Sequence, residues 1–139
     1  MYEQILVAVD GSEHADTAVT HAIGLAEQYD AALHALFVIE SRTAYDNAII
    51  DPDERREALR DDGEDVLEEV RQRAETKGVE LQTTITEGAP PEEILRYIDE
   101  QGIDLVCMGE RGQSDFKTVL LGSATETVVH ESDVPVVVV

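Results

Sequence analysis

The stretch Ile5-Leu6-Val7-Ala8-Val9-Asp10-Gly11-Ser12 decides the fold. Its first five residues form a continuous apolar run, which is typical of a parallel β-strand covered on both faces. Asp10-Gly11 then ends the strand, and Ser12 can cap a helix whose acidic first turn suits the positive end of the helix dipole. The stretch therefore predicts a buried strand followed at once by a helix.

The same alternation of apolar runs and amphipathic stretches continues along the chain. Further strands are predicted over residues 32–39, 79–86, 104–109 and 135–139. Further helices are predicted over residues 52–77, from the Pro90-Pro91 turn onward, and over residues 122–131. Gly63 falls in the apolar stripe of the second helix and counts against an unbroken helix there.

Strands that alternate with helices predict an α/β fold. We expect one domain over residues 1–139, with an open five-stranded parallel sheet, Rossmann-like, in strand order 3-2-1-4-5 and with helices on both faces. Ligands of such sheets bind beyond the carboxyl ends of the strands, where the strand order reverses. Asp10 ends the first strand and Gly109 the fourth, so both loops should open at the same edge.

A glycine-rich loop carries the chemistry. It reads Gly109-Glu110-Arg111-Gly112, then nine residues, then Gly122-Ser123, which is neither a P-loop nor a GxGxxG pattern. Gly109 and Gly112 allow close backbone approach and positive φ. A helix starting at Gly122-Ser123 offers free N–H groups and a dipole to an anion, and Ser123, Thr125 and Arg111 add donors. On these residues alone, a phosphate site and a purely structural strand-to-helix junction both stay open.

The bulk composition excludes several classes of protein. A net charge of -21 argues against a nucleic-acid partner, because binding a phosphate backbone needs clustered Lys and Arg. No apolar stretch suits a membrane span and no signal peptide is evident, so we expect a cytoplasmic protein with no membrane partner. Spread carboxylates with only Lys77 and Lys117 favour a salt-adapted, halophilic surface, with an ordinary acidic protein as the alternative.

The remaining reactive residue types indicate no further site. Cys107 stands alone in an apolar run and is predicted to be a small buried hydrophobe. The four histidines have no recognisable metal spacing and are assigned surface or packing roles, so the metal ligands are unknown. Ser12 and Ser123 are assigned capping roles, and no nucleophile–base pair is evident.

Several stretches together resemble the universal stress protein family. They are the opening strand and turn at residues 5–12, the Gly88-x-Pro90 turn, the approach to Met108-Gly109, Leu120-Leu121-Gly122-Ser123, and the closing run Val134-Pro135-Val136-Val137-Val138. The nucleotide-binding subgroup of that family carries Gly-x2-Gly-x9-Gly-Ser/Thr, which is complete here at Gly109, Gly112, Gly122 and Ser123.

The resemblance implies an ATP site, or one for ADP or AMP. Val9, Asp10 and Val38 would line the adenosine. The residues that would follow the ribose and phosphates are Gly109, Arg111, Gly112, Gly122, Ser123, Ala124 and Thr125. A divalent cation such as Mg²⁺ could bridge the phosphates. Glu110 and Asp115 depart from the family pattern, and their two added carboxylates should weaken binding. Gln113 also departs from it, because basic residues are frequent at that position.

The same resemblance implies a homodimer that pairs through the edge run 134–139 (Val134-Pro135-Val136-Val137-Val138-Val139). The function predicted is a nucleotide-dependent stress-response or regulatory protein without fast turnover. Two alternatives stay open. One is a slow ATP hydrolase or nucleotide-dependent transferase, and the other is a dimerising interaction module that binds no nucleotide.

Overall fold

The computed structural model describes residues 1–40, 51–110 and 122–139, and within them five strands and four helices. The strands are β1 Gln4–Val9, β2 Ala32–Glu40, β3 Leu81–Gly88, β4 Leu105–Met108 and β5 Val136–Val138. The helices are α1 Glu13–Tyr29, α2 Pro52–Thr76, α3 Pro90–Gln101 and α4 Ser123–Glu131.

All five strands run parallel in the order β3-β2-β1-β4-β5, which confirms the predicted topology. β1 lies at the centre, and Ile5 pairs with Leu33 of β2 on one side and with Leu105 of β4 on the other. The strand order reverses between β1 and β4. The edge beyond these two strands is therefore the expected ligand edge of the sheet.

The alternating side chains of β1 enter two separate cores. Ile5, Val7 and Val9 pack under α1 and α2, whereas Leu6 and Ala8 pack under α3 and α4. Helices therefore cover both faces, as the continuous apolar run predicts. Burying each large aliphatic side chain of this strand contributes about 1.5–3 kcal/mol.

The α2 helix is continuous through Gly63, which confirms the single helix predicted over residues 52–77 although Gly63 counted against it. Gly63 is needed for packing: a Cβ at this position would lie 2.7 Å from Cδ1 of Phe37 on β2. The phenyl ring occupies the space that any larger residue in the helix would fill. The glycine therefore permits close packing of a helix against a strand.

The bounds of three strands differ from the predicted ones. Val79 closes the C-terminal turn of α2, because its N–H donates to the Ala74 carbonyl, so β3 begins at Leu81, and it continues to Gly88 instead of ending at residue 86. β4 spans Leu105–Met108 instead of residues 104–109, and β5 spans Val136–Val138 instead of residues 135–139. The predicted stop of α2 is confirmed, since Gly78 adopts φ 67 just after the helix.

Cys107 and His34 are packing residues, as expected. Cys107 is fully buried, and this burial raises the pKa of its thiol to about 11. His34 is 4% exposed, and its ring is hydrogen-bonded by Tyr97 and Gln4.

Candidate nucleotide site

The loop after β1 is held in one conformation by its own polar groups. The Ser12 N–H donates to Oδ1 of Asp10 at 2.9 Å, and Oγ of Ser12 accepts from the Ala15 N–H at 3.2 Å. Gly11 supplies the turn with φ 82, in the left-handed region that favours glycine. The Asp10 carboxylate therefore lies at the carboxyl edge, directly before the N-terminus of α1.

Gly109 brings β4 against the start of α1. A Cβ at Gly109 would lie 2.7 Å from the carbonyl carbon of His14 and 2.9 Å from the nitrogen of Ala15. The lack of a side chain at Gly109 therefore lets β4 approach the α1 backbone. Its φ is not positive, so the positive φ that a glycine permits is not used here.

α4 begins beside the same residue. Gly122 is its N-cap with φ -60 and ψ 151, so Ser123 is the first helical residue and does not cap the helix as expected. The Gly122 N–H donates to the Glu110 carbonyl at 2.8 Å, and the first intrahelical bond runs from the Glu126 N–H to the Gly122 carbonyl. Helical geometry therefore leaves the N–H groups of Ser123, Ala124 and Thr125 without intrahelical acceptors.

The Thr125 hydroxyl fastens α4 to β4. It is buried and donates to the Gly109 carbonyl at 2.8 Å. Since a hydroxyl has one proton, Thr125 can offer a phosphate its main-chain N–H while this side-chain bond is made. Ser123, in contrast, is exposed.

The two valines predicted for the adenosine wall lie on opposite faces of the sheet. Val9 is 5% exposed, and its side chain packs in the α1–α2 core. Val38 is half-buried on the α3–α4 face, which Ala8 and Met108 share. The position of Ala8 and Met108 beside Val38 on this face was not predicted from the sequence. The two-residue period of a strand would have placed Ala8 there.

Arg111 and Gly112 lie outside the described residues, as do Gln113, Asp115 and Lys117. The site residues that the structure brings to the carboxyl edge are Asp10, Gly109, Gly122, Ser123, Ala124 and Thr125. Within residues 1–40, 51–110 and 122–139, no group of three His, Cys, Asp or Glu side chains could hold a metal ion.

A cavity of about 330 Å³ opens beside this edge, in the crevice between α1 and α2. Val9, Gly11, Ser12 and Arg73 are among the residues that line it. Nη1 of Arg73 lies 2.7 Å from Oδ1 of Asp16, which links the two helices across the crevice. Because α4 lies on the other face of the sheet, this cavity is separate from the N-terminus of α4.

The sequence profile of the universal stress protein family matches residues 1–139. The chain belongs to the universal stress protein family. It is 32% identical to universal stress protein MJ0531 of Methanocaldococcus jannaschii, covering 100% of this chain and 82% of the relative. It is 33% identical to universal stress protein YxiE of Bacillus subtilis, covering 100% of this chain and 99% of the relative.

Solved structures of universal stress proteins share the fold. The structure of MJ0577 from Methanocaldococcus jannaschii superposes with a TM-score of 0.89 at 31% identity, over 100% of this chain and 96% of that one. A universal stress protein in complex with cAMP superposes with a TM-score of 0.72 at 26% identity, over 99% of this chain and 96% of that one. The described helices of this universal stress protein include none that is long and apolar enough to cross a membrane.

Proposed function

We propose that this universal stress protein binds an adenine nucleotide, ATP or its products ADP and AMP, at the carboxyl edge between β1 and β4. The base and ribose would lie near Asp10 and Val38. The phosphates would lie against the first turn of α4, at Ser123, Ala124 and Thr125. The occupied and empty states, more than turnover, would carry the signal.

One observation supports this proposal above the others: the N-termini of two helices meet at Gly109. The α1 backbone at His14 and Ala15 lies where a Gly109 side chain would be, and Thr125 of α4 donates to the Gly109 carbonyl. Each helix end is equivalent to about half a positive charge and presents free N–H groups. In a chain of net charge -21, this edge is the place best suited to a polyphosphate.

The relatives support the class of ligand. A universal stress protein that is 26% identical to this chain has been solved in complex with cAMP, an adenine nucleotide. The Gly-x2-Gly-x9-Gly-Ser motif of this chain also places its final Gly-Ser at the start of α4.

Mg²⁺ would complete the site by neutralising charge. Asp10 and Glu110 both lie at the carboxyl edge where the nucleotide would bind. Two unit charges 4 Å apart repel by about 1 kcal/mol in bulk water and more at lower dielectric. A divalent cation bound with the phosphates would reduce that penalty without abolishing it, so binding should depend on Mg²⁺ and on salt.

A homodimer through β5 forms part of the proposal. β5 is the last strand of the sheet, and its side chains range from half-buried to exposed, with Val138 at 37% exposed. An unpaired apolar edge strand favours pairing with another chain. A location in the cytoplasm and adaptation to high salt remain predictions.

The decisive experiment is to denature the purified protein, identify any released nucleotide, and titrate the nucleotide-free protein with MgATP by calorimetry in 2 M KCl. We expect an adenine nucleotide in the extract or saturable binding at one site per chain. If neither is found, the proposal is wrong and the interaction-module alternative is favoured. A turnover assay on the same sample distinguishes a binding protein from a slow hydrolase.

Gly122→Asp tests the position of the site, with Gly122→Asn as its matched control. Both residues are good helix N-caps, so both should preserve α4. Only aspartate adds a negative charge next to the phosphates. We expect Gly122→Asp to weaken MgATP binding at least tenfold more than Gly122→Asn, and equal effects would place the phosphates elsewhere.

A further inference from the structure

The ladder of hydrogen bonds between β4 and β5 continues past the ends of both strands and reaches Glu110, next to Gly109. The Val139 N–H donates to the Met108 carbonyl at 2.9 Å, and the Glu110 N–H donates to the Val139 main-chain oxygen at 2.6 Å. The Glu110 carbonyl accepts in turn from the Gly122 N–H at 2.8 Å. Val139, Glu110 and Gly122 thus form one continuous chain of main-chain hydrogen bonds.

This chain of bonds sets the position of the α4 N-terminus. Gly122 is the N-cap of α4, so its peptide plane orients the free N–H groups that follow it. Glu110 is held from both sides, by Val139 at its N–H and by Gly122 at its carbonyl. A shift of Val139 would therefore be transmitted to the phosphate-binding turn through two hydrogen bonds.

The outer edge of β5 is suited to a second copy of this chain. All six residues of the run 134–139 are Val or Pro, although the whole chain has 31 acidic and 10 basic residues. Charged side chains are a usual protection of an edge strand against pairing, and this run has none. The apolar edge is continuous with Val139, the residue that bonds to Glu110.

We propose that β5 and Val139 act as the positioning element of the first turn of α4, so that pairing of β5 with a second copy and nucleotide binding strengthen each other. The inference rests on the proposed function, because it requires both a nucleotide and a dimer. The element with two states is β5, either paired on its outer edge or unpaired. Pairing holds Val139, and through it Glu110 and Gly122, in the arrangement that presents the N–H groups of α4.

Such coupling is reciprocal. If dimerisation tightens nucleotide binding by some factor, saturating nucleotide must tighten the dimer correspondingly, since both follow from one coupling free energy. Couplings between protein sites are commonly about fivefold or more. A residue with a purely structural role would lower stability without making the dimer dissociation constant depend on nucleotide.

The experiment measures the dimer dissociation constant of the full chain by sedimentation velocity in 2 M KCl, with and without saturating MgATP. It also measures MgATP affinity at protein concentrations well above and well below that constant. We expect MgATP to tighten the dimer about fivefold or more, and the diluted protein to bind MgATP more weakly. These two measurements need no variant, so a misfolded mutant cannot obscure the result.

Val138→Lys adds a charge to the outer edge of β5, and Gln28→Lys adds the same charge at an exposed site on α1. We expect Val138→Lys to be monomeric and to bind MgATP about fivefold more weakly than Gln28→Lys.

If the wild type binds MgATP but MgATP lowers its dimer dissociation constant by less than about twofold, or raises it, the coupling is overturned and the proposed function stands. If the wild type binds no MgATP, the proposed function fails and the coupling fails with it.

Discussion

Gly63 of α2 lies against the ring of Phe37 on β2, with no room for a side chain between them. A Cβ at Gly63 would lie 2.7 Å from Cδ1 and 2.9 Å from Cε1 of the phenyl ring. Phe37 is 8% exposed and belongs to the core under α1 and α2, so its ring cannot move aside freely.

Gly63→Ala should therefore destabilise the protein, although alanine is the better helix former by about 1 kcal/mol. Overpacking a close contact costs about 1–3 kcal/mol, which exceeds that gain. Gly24→Ala is the matched control, since a Cβ at Gly24 of α1 would meet no other atom within 4 Å. Denaturant unfolding should show a lower midpoint for Gly63→Ala and an equal or higher one for Gly24→Ala.

A double-mutant cycle with Phe37→Leu tests the cause. Gly63→Ala should cost less in the Phe37→Leu background, because the smaller side chain frees the space. If Gly63→Ala stabilises the wild type as much as Gly24→Ala does, the packing explanation is incorrect.

Sequence patterns predicted the strands and helices well because the spacing of apolar residues is a local property, and the alternation of the two kinds of element restricts the sheet to a parallel arrangement. The apolar run of β1 alone predicted a strand buried on both faces, and the structure confirms it. The roles of Gly63 and Gly109 could not be predicted, because each depends on a residue distant in sequence: Phe37 for one, the α1 backbone at His14 for the other. A glycine in a helix or at a strand end looks the same in sequence whatever lies against it.

The candidate site was predicted in part. The meeting of the Asp10 loop, Gly109 and the start of α4 follows from the rule for parallel sheets. The division of Val9 and Val38 between the two faces depends on the register of β1 and β2, in which Val9 pairs with Phe37. The bond between Glu110 and Val139 was missed, because a main-chain hydrogen bond leaves no signature in side-chain identity.

Thr125→Val should loosen the junction of α4 and β4. The substitution keeps the shape of the side chain but removes the hydroxyl that donates to the Gly109 carbonyl at 2.8 Å. Leaving a buried acceptor without its donor costs about 1–3 kcal/mol. We expect a loss of that size in the free energy of unfolding, together with weaker MgATP binding, whereas Thr125→Ser should retain most of both.

Thr127→Val is the control for Thr125→Val. The Thr127 hydroxyl donates to the Ser123 carbonyl within the same helix, and this hydrogen bond is exposed to solvent. Its loss should change the free energy of unfolding by less than about 0.5 kcal/mol. Similar losses for the two valine variants would show that the bond to Gly109 has no special role.

His34 should make the protein less stable in mild acid. Burial lowers the pKa of His34 from its ordinary value of 6.5, and Glu80 opposes this shift in part. Nε2 lies 2.7 Å from Oε1 of Gln4 and so donates to it, which leaves Nδ1 to accept from the Tyr97 hydroxyl at 2.8 Å. A second proton, on Nδ1, would oppose that bond.

The direction in which stability changes with pH follows from the difference in proton binding between the folded and unfolded states. Because the folded pKa is lowered, the unfolded chain binds more protons below pH 6.5, so stability is complete above that value and falls as the pH drops towards the folded pKa. The fall is at most about 1.4 kcal/mol per pH unit. The stability advantage of the wild type over His34→Gln should therefore shrink between pH 7.5 and pH 5.5, as measured by urea unfolding. If the difference in the free energy of unfolding between the wild type and His34→Gln is constant across this range, His34 does not cause the loss of stability in acid.

Glu110→Gln should tighten MgATP binding. Glu110 is half-buried directly after Gly109, and its carboxylate adds a negative charge at the edge where the phosphates would bind. Glutamine keeps the side-chain shape and leaves the main-chain bonds to Val139 and Gly122 intact. Removing a repulsion of about 1 kcal/mol, the value for unit charges 4 Å apart in bulk water, corresponds to roughly fivefold in affinity.

Measuring MgATP affinity at two salt concentrations distinguishes the effect of the Glu110 charge from an effect of the changed side-chain shape. The Debye length falls from about 10 Å at 0.1 M to about 3 Å at 1 M, so screening should reduce the advantage of Glu110→Gln in concentrated KCl. Glu27→Gln, an exposed substitution on α1, controls for the change in net charge and should leave the affinity within about twofold of the wild type. Calorimetric titrations at 0.1 M and 2 M KCl provide the comparison. An advantage that is equal at both salt concentrations would exclude electrostatic repulsion by Glu110 as the cause of the tighter binding.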